Sequence, residues 1–403
     1  MQTNTALPTG TDRRPGAPRA PAPTVAAAWA EALGRLDQSW LIVQEHGQCS
    51  LVPGHPSAPP PAAARWVGWL PPLPLEQLGD PAFRRDHGLR YAYVAGAMAN
   101  GIASVELVEA MSRAGMLGFF GAAGLELERI EAALDRLTSS LAGRPFGFNL
   151  IHSPNEPDRE AATVDLYLRR GVRLVEAAAY LGLTLPVVRF RVAGIGLDAH
   201  GRVVAPNRIV AKVSRVEVAT KFLSPPPEEL LNELVRTGEI TAAQATLAAQ
   251  IPMAQDVTAE ADSAGHTDNR PLVTLLPTLL ALRDRLQAQF AYLQPLRVGA
   301  AGGLSTPTAL AAAFAMGAAY VVTGSVNQAC VESGSCESIR RLLAQAEQAD
   351  TAMAPAADMF EMGVKVQVLK RGTMFPMRAA KLYELYRGHP SLESLPAADR
   401  AAL

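Results

Sequence analysis

The sequence predicts an α/β chain: a (β/α)8 TIM barrel with a helical insertion between strands 5 and 6 and a small N-terminal appended unit. Three observations predict it. From about residue 88, short apolar runs alternate with amphipathic stretches, the pattern of βα units feeding a parallel sheet. Eight such runs can be counted, the number a closed barrel needs. The chain has 403 residues, long for one minimal domain and suited to a barrel with additions.

In order, the strands are expected at RYAYVAG (90–96), MLGFFG (116–121), PFGFNLI (145–151), VRLVEAA (172–178), RIVAKVS (208–214), VTAEAD (257–262), LRVGAA (296–301) and AYVVTG (319–324). SVELVEAMSRAG (104–115) and LELERIEAALDRLTSSLAG (125–143) are helical in pattern. Between the fifth and sixth strands the gap is too long for one helix. SPPPEELLNELVRTGEITAAQATLAAQIPMAQ opens on three prolines and is split by a Thr-Gly-Glu-Ile-Thr turn. It predicts a helical hairpin within 222–256, expected on the C-terminal face where barrel loops build active sites. A lid or docking element is one reading; a surface decoration is the other.

The first 80 residues differ, holding thirteen of the 31 prolines and all four tryptophans. Residues 1–24, rich in Pro, Ala and Arg without periodicity, read as a disordered tail. Residues 25–85 read as a small unit, with short strands at WLIVQ and SLVPG, joined by the Pro-rich stretch 53–61. Residues 86–403 are assigned to the barrel.

Composition excludes several classes. Hydrophobic residues at 49% and charged residues at 19% allow a large core. A net charge of −1 gives no electrostatic case for nucleic acid or an anionic membrane. Cys49, Cys330 and Cys336 make no disulfide framework, which fits a reducing cytoplasm. No apolar run is long enough to span a bilayer, and the N-terminus lacks an apolar signal core.

Chemistry concentrates at the predicted strand ends. After the seventh strand, Gly302 and Gly303 allow a backbone to turn its N–H groups toward a ligand. Thr306 and Pro307 then read as N-cap and first helical residue. Gly324 and Ser325 close the eighth strand. Two such turns, after strands 7 and 8, make a phosphate site. AEADSAGHTDNRP (259–271) crowds Glu260, Asp262 and His266 into one loop that needs Gly265 for its path. His266 is suited to proton transfer near neutral pH; a structural His bonded to Asp262 or Asp268 is the alternative. Metal binding is disfavoured, since no second His stands near.

After the first strand, Met98 and Asn100 in GAMANGIAS could face a flat heteroaromatic ring, though spacing alone favours a packing turn. Asn149 and His152 stand at the exit of the third strand. Asn149 could hold a cofactor, while His152 caps the loop. Lys212, near the end of the fifth, would be costly to bury without an anion, either a ligand's or a barrel carboxylate such as Glu260. The two late cysteines have no local base and read as structural. No G-x-G-x-x-G turn marks a separate dinucleotide domain.

GAMANGIAS, LGFFGAAGL, PFGFNLIHSPNEP, AKVSRVEVATKFL, EADSAGHTDNRPL, RVGAAGGL, AAYVVTGSVNQACVE and DMFEMGVKVQVLKRGTMFPMRA together resemble the PfaD family. These are flavin enoyl reductases of polyunsaturated fatty acid synthases and trans-acyltransferase polyketide synthases, similar to nitronate monooxygenases. The resemblance covers about residues 80–400. It implies FMN at the barrel mouth, NADPH as reductant, and a trans-acting enoyl reductase meeting an α,β-unsaturated chain on an acyl carrier protein. Hydride would be added at the β-carbon and a proton at the α-carbon. Gly302, Gly303, Gly324 and Ser325 match the family's phosphate turns. Ala97, Met98, Asn100, Asn149 and Lys212 match positions facing the isoalloxazine or ribityl chain, and His266 matches the histidine near the reacting carbon. A homodimer is among the arrangements this reading allows. The chain departs from the family at Ser263-Ala264-Gly265, where a second glycine is usual, and stops at Leu403 where relatives often continue.

Three other readings stand beside it: a nitronate monooxygenase-like flavin oxidase, a non-catalytic synthase assembly subunit, and a barrel dehydrogenase acting on a nucleotide through a cysteine. The last expects a cysteine after the sixth strand, where this chain has His266. The helical insertion argues for a long carrier-bound substrate.

Overall fold

The computed structural model describes residues 25–57, 64–152, 156–357 and 359–402. The predicted disordered tail, 1–24, lies outside them. The chain divides into two compact units, 1–75 and 76–403.

In the first unit the strands Trp40–Glu45 and Gln48–Pro53 pair antiparallel, as WLIVQ and SLVPG suggest, and Arg65–Leu70 pairs with the other edge of Trp40–Glu45. Trp40, Leu51 and Ala32 form its small buried core, with Trp29, Ile42 and Leu70 packed on them. The Pro-rich stretch 53–61 lies partly outside the described residues, and the strands on either side of it, Gln48–Pro53 and Arg65–Leu70, both belong to this unit.

The second unit is built on a closed parallel barrel. Its strands are β1 (Tyr93–Ala95), β2 (Leu117–Phe120), β3 (Gly147–Ile151), β4 (Leu174–Ala178), β5 (Arg208–Val213), β6 (Asp256–Glu260), β7 (Arg297–Ala301) and β8 (Val321–Thr323). They neighbour in sequence order and β8 closes on β1. All eight expected strands form, most of them shortened by one to four residues, and β6 begins one residue earlier than expected, at Asp256. Ser104 caps the helix Val105–Arg113 by accepting the Leu107 N–H at 3.1 Å. Thr306 caps Pro307–Ala315 in the same way through Ala309 at 3.2 Å.

Two apolar layers result. One lies between strands and helices and includes Leu134, Leu137, Val175, Phe190, Phe222, Leu276 and Val298. The other fills the barrel with Val94, Leu117, Phe119, Val210, Tyr320 and Val322. The helix Pro81–His87, N-capped by Asp80, plugs the N-terminal end of the barrel. Its Phe83 stacks on Tyr320 with centroids 4.1 Å apart. Its His87 Nε2 lies 2.8 Å from Asp256, which also accepts from Arg297 Nε at 2.5 Å. Arg297 reaches Asp86 as well, at 2.6 Å. Burial on its own would raise the Asp256 carboxyl; the His87 hydrogen bond and the Arg297 charge outweigh it and hold it at about 2. This end is packed and ion-paired, so ligand space must be sought at the other.

The expected helical hairpin forms, as Glu228–Arg236 and Ala242–Ala248, with a Thr241/Gln244 capping box on the second helix. Its expected position is overturned. The helix Val216–Leu223 returns the chain to the N-terminal face before the hairpin begins. There the Ala254 and Met253 N–H groups donate to Phe222 and Ser224 carbonyls. Arg191 joins the Pro252 carbonyl at 3.1 Å and also reaches that of Asn207, just ahead of β5. The hairpin thus lies at the barrel's N-terminal side, against the helix Leu185–Val192, where Arg189 pairs with Glu239 at 2.6 Å. It cannot be a lid on the mouth.

The C-terminal face carries instead a small sheet not foreseen from the sequence. Gly265–His266, in the loop after β6, pairs with Lys365–Leu369, which pairs in turn with Thr351–Pro355. The helix Phe375–Gly388 packs on Thr351–Pro355.

Candidate active site at the barrel mouth

In a parallel barrel, alternate residues of each strand face inward. The register pairs Asn149 of β3 with Glu176 of β4, and Lys212 of β5 with Thr258 of β6, two residues before Glu260. These positions bring Asn149, Glu176, Lys212 and Glu260 to the C-terminal end of the barrel interior. Lys212 Nζ lies 3.2 Å from Glu260 and 3.9 Å from Glu176. The barrel carboxylate is thus its partner, in fact two of them. The Glu176 side chain is 0% exposed and that of Lys212 14%. Burial on its own would lower the Lys212 ammonium, but the two carboxylates outweigh it and raise it, so Lys212 stays charged. Glu176 is raised, chiefly by burial, against the pull of Lys212 and of the Ala97 N–H.

That N–H donates to Glu176 at 2.8 Å, so a carboxylate from β4 reaches across the barrel and fixes the second residue of the turn after β1. The other carboxylate oxygen of Glu176 has no hydrogen-bond partner among the described residues. Sequence reasoning missed Glu176. The signal was available: a carboxyl inside VRLVEAA, a strand buried on both faces, poses the same unpaid charge that singled out Lys212.

Around Ala97 the turn is rigid. Asn100 sits in the left-handed region at φ 59° and donates its N–H to Ala123 at 2.8 Å. Gly101 and Ala103 are tied to Gly121 and Met98. Met98 is half-buried and Asn100 exposed. Asn149 accepts the Ala123 N–H at 2.9 Å. The turns after β1 and β2 are therefore one hydrogen-bonded platform anchored on β3. His152 leans away toward Glu160, at 3.1 Å, which also accepts from Tyr180 at 2.8 Å. This contact ties the residue after β3 to the helix Pro157–Arg169.

The two glycine turns follow neighbouring strands: Ala301 of β7 pairs with Val322 of β8, so Gly302–Gly303 and Gly324–Ser325 leave the barrel from adjacent strand ends. Gly302 has φ 92°, and a Cβ there would lie 2.6 Å from the Ala261 backbone. Only glycine lets β7 turn this close to the end of β6. At Gly324 a Cβ would meet nothing within 4 Å. Among the described residues the N–H groups of Gly303, Leu304, Gly324 and Ser325 donate to no protein acceptor.

His266 belongs to the small sheet, opposite Val366. Within its loop, Asp268 accepts from Arg215 at 2.9 Å and from Ser214, which hold its carboxyl at about 2, the Arg215 bond foremost. Asp262 accepts from Thr267 at 3.2 Å and Asn269 at 3.0 Å. These two carboxylates shape the loop, Gly265 turns it at φ 82°, and strand pairing presents an exposed imidazole.

Two kinds of comparison bear on this geometry. A family model described as nitronate monooxygenase matches residues 86–387. A polyunsaturated fatty acid synthase polypeptide of Thraustochytrium sp. is 50% identical over 327 residues, 81% of this chain and 22% of that protein. The polyketide biosynthesis protein PksE of Bacillus subtilis is 47% identical over 332 residues, 82% of this chain and 43% of that one. This chain thus spans less than half the length of these relatives. Among solved structures, the enoyl reductase domain of MlnA from the macrolactin cluster of Bacillus amyloliquefaciens superposes with a TM-score of 0.78 at 42% identity, covering 82% of this chain and 75% of that one. FabK of Thermotoga maritima, at TM-score 0.52 and 21% identity, shares the fold. No helix among the described residues is long and apolar enough to cross a membrane.

Proposed function

The chain belongs to the nitronate monooxygenase family, and we propose that within it the protein is an FMN-dependent, NADPH-consuming enoyl reductase acting in trans on acyl chains carried by an acyl carrier protein. The observation that carries the flavin assignment is that Gly302–Gly303 and Gly324–Ser325 follow the ends of the paired strands β7 and β8, with the N–H groups of Gly303, Leu304, Gly324 and Ser325 unclaimed among the described residues. The site fits a phosphate there and a polar ring system deeper in. The Gly324 cradle is open, and Lys212 retains partial exposure beside its two carboxylate partners. The relatives, from a fatty acid synthase and from polyketide biosynthesis, and the likeness to an enoyl reductase domain support the substrate class.

FMN, when bound, would supply two-electron hydride chemistry, which no side chain can provide. The residues of the chain would do the rest. Amides of Gly303, Leu304, Gly324 and Ser325 would hold the phosphate, helped by the N-terminus of the helix Pro307–Ala315. Asn149, Lys212 and the backbone of Ala97, Met98 and Asn100 would orient the ring and its side chain. Glu260 and Glu176 together keep Lys212 charged, and Glu176 holds Ala97 in place. His266 would hold a proton near the reacting carbon, since an imidazole can give or take one at neutral pH.

The family's own description favours a second reading, a monooxygenase acting on nitronates with the same cofactor site. The hairpin's position removes it as an argument for a carrier-bound substrate, so the choice rests on substrate. Purified protein is expected to be yellow, and to convert a carrier-bound enoyl chain to a product heavier by two hydrogens in the presence of NADPH, read by mass spectrometry. Turnover of a nitroalkane with no change in the enoyl chain would select the second reading. His266→Ala should retain flavin and lose most of the enoyl reduction; undiminished turnover would return His266 to a structural role.

A further inference from the structure

The segment 361–388 is unlike the rest of the molecule. It holds six basic residues, Lys365, Lys370, Arg371, Arg378, Lys381 and Arg387, against two acidic ones, in a chain whose totals are 37 and 38. All six are exposed. Arg371 pairs with Asp350 at 3.1 Å and Lys381 with Asp399 at 3.5 Å. Lys365, Lys370, Arg378 and Arg387 form no ion pair among the described residues.

Interleaved with these charges are large apolar side chains in water. Met377 is 66% exposed, Met374 54% and Phe375 44%, with Leu382 and Tyr386 following at helical spacing. The helix Phe375–Gly388 buries only Leu385. Its surface therefore mixes exposed apolar side chains with exposed basic ones, a composition that marks a protein-binding surface. Folding has placed this surface at the site. The strand that leads into it, Lys365–Leu369, is hydrogen-bonded to Gly265–His266 in the loop above the barrel mouth.

We propose that the Lys365–Arg387 lobe is the docking surface for an acidic carrier domain, which delivers its thioester-bound chain past His266. The proposal rests on the enoyl reductase reading for the identity of the cargo. The choice of partner follows from charge: a positive surface, four of whose six basic residues form no ion pair among the described residues, set with exposed apolar side chains beside a reaction mouth, fits a negatively charged protein whose substrate hangs on a flexible arm. Such basic residues steer encounter over about a Debye length and add little to the chemical step.

The experiment uses the full chain loaded with FMN, and the double variant Lys370→Glu/Arg378→Glu. Binding of a fluorescently labelled, enoyl-loaded acyl carrier protein from a polyunsaturated fatty acid synthase is followed by anisotropy. Reduction is followed separately on that substrate and on the same enoyl group attached to N-acetylcysteamine. The variant should bind the carrier at least about tenfold more weakly, and its carrier KM should rise in step. Its turnover of the small thioester and its KM for NADPH should stay as in the parent. Added salt should weaken carrier binding in the parent more than in the variant.

Unchanged carrier binding would overturn the proposal. So would a raised NADPH KM, which would assign the charges to nucleotide phosphate, or loss of a parental dimer on gel filtration, which would assign the face to a second copy. Carrier binding that weakens as expected in a protein that reduces neither thioester would sustain the docking surface and sink the enoyl reading. Arg387→Glu, at an exposed and unpaired position, provides an independent variant, and a cooperative melt near that of the parent checks that each still folds.

Discussion

Lys212→Met is the substitution whose outcome the structure constrains most tightly. Methionine keeps the length and volume of the side chain and deletes its charge. Glu260 is partly exposed and can recover water, whereas Glu176 is fully buried and cannot. At 3.9 Å the attraction lost between Lys212 and Glu176 is about 4 kcal/mol at an effective dielectric constant of 20. The penalty is capped, because Glu176 can take up a proton. Holding a carboxyl neutral at pH 7 when its unfolded value is near 4.3 costs about 4 kcal/mol. The two figures agree, and a loss of about 2–4 kcal/mol at pH 7 is expected.

The pH dependence separates this cause from simple loss of packing. Glu176 already lies above the usual carboxylate range, and removing Lys212 raises it further. A carboxyl raised in the folded state lets the folded protein hold a proton that the unfolded chain gives up, so stability falls as pH rises above the unfolded value. Lys212 itself is raised and stays charged throughout this window, adding no slope of its own. The deficit of the variant should therefore be larger at pH 8 than at pH 5.5, by at least about 1 kcal/mol. Urea unfolding of the flavin-free protein at both pH values measures it. Adding Glu176→Gln should recover much of the loss and remove the slope. An equal deficit at both pH values, or a double variant no better than the single, would refute the argument.

Asp256, held at about 2, contributes stability that is present above about pH 4 and lost as pH falls toward 2, about 2–3 kcal/mol; Asp256→Asn should flatten that acid limb in urea titrations. Gly302→Ala combines a left-handed backbone with a Cβ 2.6 Å from Ala261 and should cost at least about 2 kcal/mol with loss of bound flavin. Gly303→Ala, with nothing nearer than 3.9 Å, should cost about half as much, both read by melting temperature and flavin absorbance. Glu229→Ala and Arg236→Ala, on the exposed surface of the hairpin, should leave the KM of every substrate unchanged; a raised carrier KM would return the hairpin to the site.

The barrel was legible because each strand is a short apolar run whose neighbours in sequence are its neighbours in space, so local pattern and tertiary pairing coincide. The glycine turns were legible for the same reason. β7 and β8 are consecutive, and their ends meet once the register is known. The hairpin went wrong over polarity. A βα connection lies at the C-terminal face and an αβ connection at the N-terminal face, and VEVATKFL, only eight residues, was not read as the helix that carries the chain from one to the other. With Val216–Leu223 recognised, 224–255 could have been placed correctly from sequence alone.

The sheet over the mouth is a different case. KVQVL alternates with period two and reads as a strand, but besides Thr351–Pro355 its partner on the side of the mouth is the dipeptide Gly265–His266, about a hundred residues earlier. No local pattern encodes so short and so distant a pairing, because its stability comes from the loop that Asp262 and Asp268 have already shaped. Barrel strands supply a rigid, buried charge network, and the groups that must meet changing partners are left to loops and appended strands. His266 stands where the two meet: its position is set by a loop braced to Ser214 and Arg215 just beyond β5, its exposure by a place on the edge strand of the small sheet. A histidine committed to the core would gain rigidity and lose access, and one on an unpaired loop the reverse; pairing it with Lys365–Leu369 secures both.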